Sequence, residues 1–301
     1  MRGLTQRMIR IIQLIVLLAA APTAAVAQSG DCLRRIAMWE FYADSTLTTD
    51  QQQGLRNATC SMVANVEKWA KDNGWEVPTG LGRLKILVGE HFRLGRSLVP
   101  AWESDRGRIE LPADKVKDVQ ADIAHEFTHY YFPNGNRMLA EGLAVYVQDE
   151  TQGLPGGNPG YPNFGIPVHT AMKCHPHVQK PILPRVELSK LDLFFTPQPL
   201  TLDEHVFDDL EPPEKRDQKR DQWSYVVAGS FVRFLIETHG MDKFRALYKA
   251  TPFEAGRKVK RTKDDWTEIY SPKTLQSLEA DWKAMIDAQT TSCAASAALP
   301  H

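Results

Sequence analysis

The chain predicts an α+β fold: a small mixed β-sheet packed on helices, followed by a helical C-terminal subdomain. Three observations carry this expectation. The first half runs strand, helix, strand, strand, helix, the order of a sheet with helices against one face. Two helical segments then follow in succession, separated only by the turn sequence Pro133-Asn134-Gly135-Asn136. The last third reads as helices at Trp223 to Thr238, Asp242 to Ala250 and from Ser271-Pro272 to about Ala288, the first ending at Gly240.

The elements follow in order. Arg2, Arg7 and Arg10 precede the apolar stretch from Ile11 to Ala21, and Ala25-Val26-Ala27 is a small-x-small cleavage site. Residues 1–27 therefore predict a signal peptide, an exported (periplasmic or secreted) protein beginning at Gln28, and no stable membrane anchor. The competing reading is an uncleaved anchor, but the apolar run is short for a span and ends in a cleavage pattern. Export makes Cys32, Cys60, Cys174 and Cys293 disulfide candidates. Of three connectivities, Cys32–Cys60 with Cys174–Cys293 is favoured, because the first pair would tie the start of the mature chain to the first helix.

Ile36 to Ala43 predicts a first strand, and Thr49 to Asn73 a long helix with Val63, Val66 and Trp69 inward and Gly74 as its stop. Leu84 to Gly89 predicts a strand, and Arg108-Ile109-Glu110-Leu111 a short one read as the sheet edge. Asp114 to Phe132 carries Val116, Val119, Ile123, Phe127 and Tyr130 at helical spacing, and Arg137 to Gln148 is an almost wholly apolar helix. The first subdomain thus spans 28–150. Residues 151–222 read as an irregular insertion or lid, rich in Gly and Pro at 153–167 and in mixed charge at 207–222. His169, His175 and His177 fall in it and read as exposed loop histidines. Trp223 to Thr238, Asp242 to Ala250 and a last helix from Ser271-Pro272 to about Ala288 form the helical subdomain 223–290, with 291–301 a tail.

With 36 basic and 37 acidic residues the formal net charge is −1, which excludes a strong global field and gives no ground for a nucleic-acid partner. The chemistry lies elsewhere. His125-Glu126-Phe127-Thr128-His129 places two imidazoles at i and i+4, on one face of a helix and about one turn apart. Two nitrogens so placed can share one Zn²⁺, and Glu126 can act as general base on the water it binds. A third ligand is needed, and Glu141 is the candidate. A carboxylate in the apolar run R-M-L-A-E-G-L-A-V-Y-V-Q is costly to bury unless it is paired or metal-bound. Gly142 beside it implies a close backbone approach to another helix. The competing reading is a histidine-bearing core helix with Glu141 salt-bridged to Arg or Lys.

H-E-F-T-H followed by L-A-E-G-L-A-V-Y resembles the gluzincin clan of zinc metallopeptidases, above all the compact bacterial peptidase MA-like domains. Residues 225–240 and 277–286 resemble the downstream and closing helices of such domains. The resemblance implies a zincin-like fold, one Zn²⁺ on His125, His129 and Glu141, Glu126 as general base, and a peptide or protein substrate. It further implies an oxyanion donor on a helix after the glutamate, for which Tyr225 is the candidate. Tyr146 reads as core, and His205 and His239 as surface residues that stand behind Tyr225 for this role.

The reaction implied is peptide hydrolysis, more in keeping with an endopeptidase than an aminopeptidase. The G-x-M-E-N element of the clan's large aminopeptidases has no counterpart in residues 83–124. An aminopeptidase would need an acidic anchor for a free amine, for which Glu103, Asp105 and Glu110 are available. The other alternative is a secreted zinc-binding scaffold that has lost turnover, against which the intact Glu126 argues.

Overall fold

In a computed structural model the described residues are 40–43, 45–78, 83–92, 96–98, 106–114, 123–152, 167–174, 183–190, 216–252 and 263–289. The signal-peptide segment 1–27, Cys32, Cys293, His175, His177, His205, Glu103 and Asp105 lie outside them. So do Val116 and Val119 of the first motif helix, and residues 36–39 of the first strand. Cys60 is buried in the first helix, while the partners expected for the disulfides fall outside the described residues or, at Cys174, their described side chains.

The chain opens with β1 (Glu40–Ala43) and α1 (Thr49–Asp72). Thr48 caps α1 through a capping box in which its hydroxyl accepts from Gln51 N at 3.2 Å and Gln51 Oε1 accepts from Thr48 N at 2.9 Å. Gly74, at φ 69°, turns the chain away after Asn73, as the sequence predicts. Next come β2 (Arg83–Gly89), β3 (Arg96–Leu98) and β4 (Arg106–Pro112). Their order across the sheet is β1-β2-β4-β3, with β1, β2 and β4 parallel and β3 antiparallel to β4. Parallel neighbours need a crossover, and α1 supplies it between β1 and β2. In register, Leu84 lies beside Gly107, Ile86 beside Ile109 and Val88 beside Leu111, so alternate residues bury one sheet face.

This arrangement corrects one expectation. The Ile109 strand is not the sheet edge: β3 pairs along its outer side, with Ser97 opposite Ile109. A three-residue strand reading R-S-L has too little alternation to announce itself in sequence.

The helices continue as α2 (Ile123–Tyr131), α3 (Arg137–Gln152), α4 (Val168–Cys174), α5 (Arg216–His239), α6 (Met241–Lys249), α7 (Lys263–Tyr270) and α8 (Leu275–Ala288). Two short 3₁₀ turns, Leu183–Arg185 and Leu188–Lys190, lie between α4 and α5. The charged stretch 216–222, whose composition suits a solvated loop or a frayed helix, is helical, because Lys, Arg and Gln extend an already nucleated helix at little cost. Two further corrections concern the helices. The last helix begins after Thr274, whose hydroxyl caps Ser277 N at 3.2 Å, and not at Ser271-Pro272. His169 is not an exposed loop residue but a buried one on α4, with Nδ1 2.8 Å from Ser230 Oγ of α5. No helix among the described residues is long and apolar enough to cross a membrane.

The core is continuous from sheet to C-terminal helices. Trp69, Trp75, Phe132, Tyr146, Phe244 and Tyr248 form an aromatic cluster linking α1, α3 and α6, with centroid separations from 5.0 to 6.5 Å. Tyr146 belongs to it and is therefore core, as its sequence context implies. Among the described residues the most extensive contact between two elements is that of α3 with α5. A Cβ on Gly142 would meet Ala228 O at 2.6 Å and would also run into Val232 Cγ2; one on Gly229 would meet Val145 Cβ at 2.9 Å. Each helix thus presents a glycine to the other's side chains, and the backbones close together.

Two glycine substitutions should therefore have opposite signs. Gly142→Ala gains about 1 kcal/mol of helix propensity but forces the helices apart, and overpacking of this kind costs about 1–3 kcal/mol. Gly54→Ala, in α1 with nothing within 4 Å of the added carbon, should stabilise by about 0.5–1 kcal/mol. Urea denaturation midpoints check both, and a Gly142→Ala that stabilises as Gly54→Ala does would mean that α3 and α5 are not closely seated.

Candidate metal centre

The site begins with α2. Ile123 and Phe127 are buried on one side of this short helix, and Tyr131 ties it to α1 through a hydrogen bond from its hydroxyl to Glu67 Oε1 at 2.9 Å. Gly107 on β4 lets the helix lie against the sheet, because a Cβ there would collide with the Tyr130 ring. With that side committed to packing, i and i+4 spacing sends His125 and His129 to the other.

The turn after α2 sets where α3 starts. Asn134 Oδ1 accepts from Asn136 N at 2.8 Å and from Thr251 Oγ1 at 3.0 Å, while its Nδ2 donates to Tyr248 O at 2.7 Å. Gly135 N donates to Thr251 O at 3.0 Å, and Tyr248 Oη donates to Phe132 O at 2.5 Å. Asn136 caps α3, its Oδ1 accepting from Leu139 N at 3.2 Å. The turn that the sequence marks only as a break is thus a buried polar network tied to the end of α6. It fixes the angle at which α3 leaves α2, and Glu141 sits just over one turn into α3.

His125 Nε2 and His129 Nε2 lie 3.2 Å apart. Glu141 Oε2 is 3.2 Å from the first and 2.9 Å from the second. A proton lies on one line between two atoms, whereas a cation at the centre of this triangle meets all three. Tetrahedral coordination with bonds near 2.0–2.1 Å places neighbouring ligand atoms about 3.3 Å apart, which these separations approach. His125 (3% exposed), Glu126 (4%) and Glu141 (7%) are buried, and His129 is partly so. The three groups could hold a metal ion, and their donor set of two imidazoles and a carboxylate fits one that binds nitrogen and oxygen.

Electrostatics favour the ligand state of the carboxyl. Burial alone pushes Glu141 up, but the rings of His129 and His125 outweigh it and hold the group well below the usual carboxylate range. Its second oxygen, Oε1, is 3.4 Å from Arg137 Nε, one turn earlier on α3. The Arg137 guanidinium also interacts with the Tyr225 hydroxyl of α5. Tyr225 lies one turn before Ala228, the residue against Gly142, so the close helix contact carries it to the site. Its ring centroid is 5.8 Å from that of His125, at an interplanar angle of 64°.

The structure therefore brings together His125, His129, Glu141 and Tyr225, with Glu126 buried on the same helix as the two histidines. It leaves His239 far away: that residue is 14 positions beyond Tyr225 on α5, about 20 Å along the axis. His239 is half-buried against Phe234 and Tyr270, not the surface residue expected from its place near a helix end. Glu110, one of the possible amine anchors, is buried and ion-paired with Arg108 at 3.0 Å. Sequence reasoning missed Arg137, which the i, i+4 rule could have offered as a partner of Glu141, and missed Asn134 and Asn136 as more than turn residues. In comparisons with known proteins no family model matches the chain, nor does any characterised relative or solved structure.

Glu141→Ala should retain the fold and lower zinc affinity by at least two orders of magnitude, since one of three ligands and the only anionic one is removed. Equilibrium dialysis against Zn²⁺ measures it; unchanged uptake would assign the third ligand elsewhere. Saturating zinc should raise the melting temperature of the unaltered protein and not that of the variant.

Proposed function

We propose that this protein is a zinc-dependent metallopeptidase of exported location that hydrolyses peptide bonds, with His125, His129 and Glu141 holding the metal and Glu126 serving as general base. The convergence of His125 Nε2, His129 Nε2 and Glu141 Oε2 within 3.2 Å of one another is the observation that carries this reading. Zinc held there would supply Lewis acidity, making water nucleophilic near neutral pH and polarising the scissile carbonyl. The three protein ligands leave a fourth tetrahedral position for water or substrate.

Glu126 takes a proton from the attacking water as the new C–O bond forms, and returns it to the amine nitrogen as the C–N bond breaks. Its place beside His125 on α2, buried with it, supports this role. Tyr225, whose ring flanks that of His125, donates a hydrogen bond to the oxygen of the scissile carbonyl as negative charge develops on it. An extended peptide pairs with β3, the last strand of the sheet among the described residues, which lies against α2. The edge this reading uses is thus one strand beyond the Ile109 strand that the sequence reads as the edge.

Glu126→Gln should bind zinc as the unaltered protein does and lose at least about 10²–10⁴-fold in kcat on a blocked internal peptide. Retained turnover in this variant would remove Glu126 from the mechanism. Tyr225→Phe should lower kcat about 10²-fold or more with little change in KM, the signature of a donor engaged only in the transition state. Equal loss in both parameters would make Tyr225 a wall of the cleft. Zinc-loaded protein that is inert on both blocked peptides and free N-terminal amides would replace the peptidase reading with that of a binding protein.

A further inference from the structure

We infer that Arg137 is the positioning residue of this metal centre: its Nε, 3.4 Å from Glu141 Oε1, holds the carboxylate so that Oε2 alone turns toward the two histidines. The inference rests on the metal-centre reading above and adds to it a residue outside the ligand set.

A carboxylate on a helix can present either oxygen, or both, to a cation. Here the two oxygens are differentiated: Oε2 faces His125 and His129, and Oε1 faces the guanidinium. Arg137 and Glu141 are an i, i+4 pair, and on an exposed helix face such a pair contributes only about 0.3–0.5 kcal/mol. This pair differs in two respects. Glu141 is 7% exposed, so its second oxygen has little water to turn to. The guanidinium also interacts with the Tyr225 hydroxyl of another helix, so one planar group bears on both the carboxylate and the phenol. Arg137 itself is about half exposed, with 47% of its side chain accessible, so it reaches the site from the rim and is not part of the core. Outer partners of this kind fix ligand orientation, and their loss costs metal affinity without removing a ligand.

The test is a double-substitution cycle on zinc affinity in the full chain, read by competition with a chromophoric chelator. Arg137→Met should raise the zinc Kd about 10–100-fold and change the visible spectrum of the Co²⁺-substituted protein, because the carboxylate is free to bind through both oxygens. In a Glu141→Ala background the same substitution should cost no further affinity. Arg137→Lys, which keeps the charge but not the planar fork, should restore little of the loss. Far-ultraviolet circular dichroism of the metal-free proteins should be nearly unchanged, so that a change in zinc affinity is not a loss of fold. Equal zinc affinity and an identical Co²⁺ spectrum for Arg137→Met would overturn the inference and leave the pair as an ordinary helix-surface contact. An undiminished effect without Glu141 would also overturn it, because Arg137 would then act by another route. Absence of zinc uptake by the unaltered protein is a separate result: it would sink the metal-centre reading itself.

Discussion

A carboxylate placed in the middle of an apolar helix must find compensating charge or leave the interior, and the architecture around Glu141 is organised by that requirement. Residues 138–148 are buried throughout, so α3 cannot rotate to bring Glu141 into water without exposing the rest. Compensation has to come to the carboxylate. It comes from α2, whose two histidines face it, and from Arg137 on the same helix. The angle between α2 and α3 is thus set by electrostatic need as much as by packing, and the polar turn at 134–136 maintains it.

The close contact of α3 with α5 serves the same centre. Gly142 follows Glu141 directly, and the absence of its side chain lets Ala228 approach to backbone distance. With larger residues at 142 or 229 the helices would separate, and Tyr225, one turn from Ala228, would withdraw from His125. A packing feature with no chemical groups of its own therefore controls whether a phenol stands next to the histidine–glutamate cluster. Arg233 fastens the other end of this helix pair, donating to Glu150 at 2.7 Å and lying 4.8 Å above the Tyr146 ring.

Much of this was legible in the sequence, and the limits have physical causes. The helix carrying His125 and His129, the carboxylate at 141, the glycine at 142 and the turn between the helices are each expressed in local spacing. The long first helix announces itself through the inward spacing of Val63, Val66 and Trp69 and the stop at Gly74, whereas the capping box of Thr48 and Gln51 shows only in the structure. β3 is hidden because three residues cannot show a period, and its pairing with β4 is a tertiary fact. The burial of His169 is hidden for a related reason: its partner Ser230 is 61 residues away, on another helix. The start of α8 was misplaced because Ser271-Pro272 and Thr274 both satisfy a capping rule, and only the backbone decides between them. The Arg137–Glu141 pair was within reach of the i, i+4 rule, but its meeting with Tyr225 of α5 is a tertiary fact that no local pattern encodes.

The chain contains a second cluster of histidine, hydroxyl and carboxylate, and comparing the two shows why residue type does not determine chemistry. His169 Nδ1 lies 2.8 Å from Ser230 Oγ, with Glu237 Oε2 3.6 Å from Nε2. Serine, histidine and acid in that order are the components of a nucleophilic triad. Ser230, however, is fully buried and already accepts a hydrogen bond from Trp282 Nε1 at 3.0 Å. No carbonyl could reach its oxygen, and the proton between Ser230 and His169 has a fixed structural use in tying α4 and α8 to α5. At the first cluster the donor atoms of His125, His129 and Glu141 lie 2.9–3.2 Å from one another, a grouping that could hold a metal ion. One arrangement is closed by hydrogen bonds to a neighbouring indole; the other gathers two imidazoles and a carboxylate around one point.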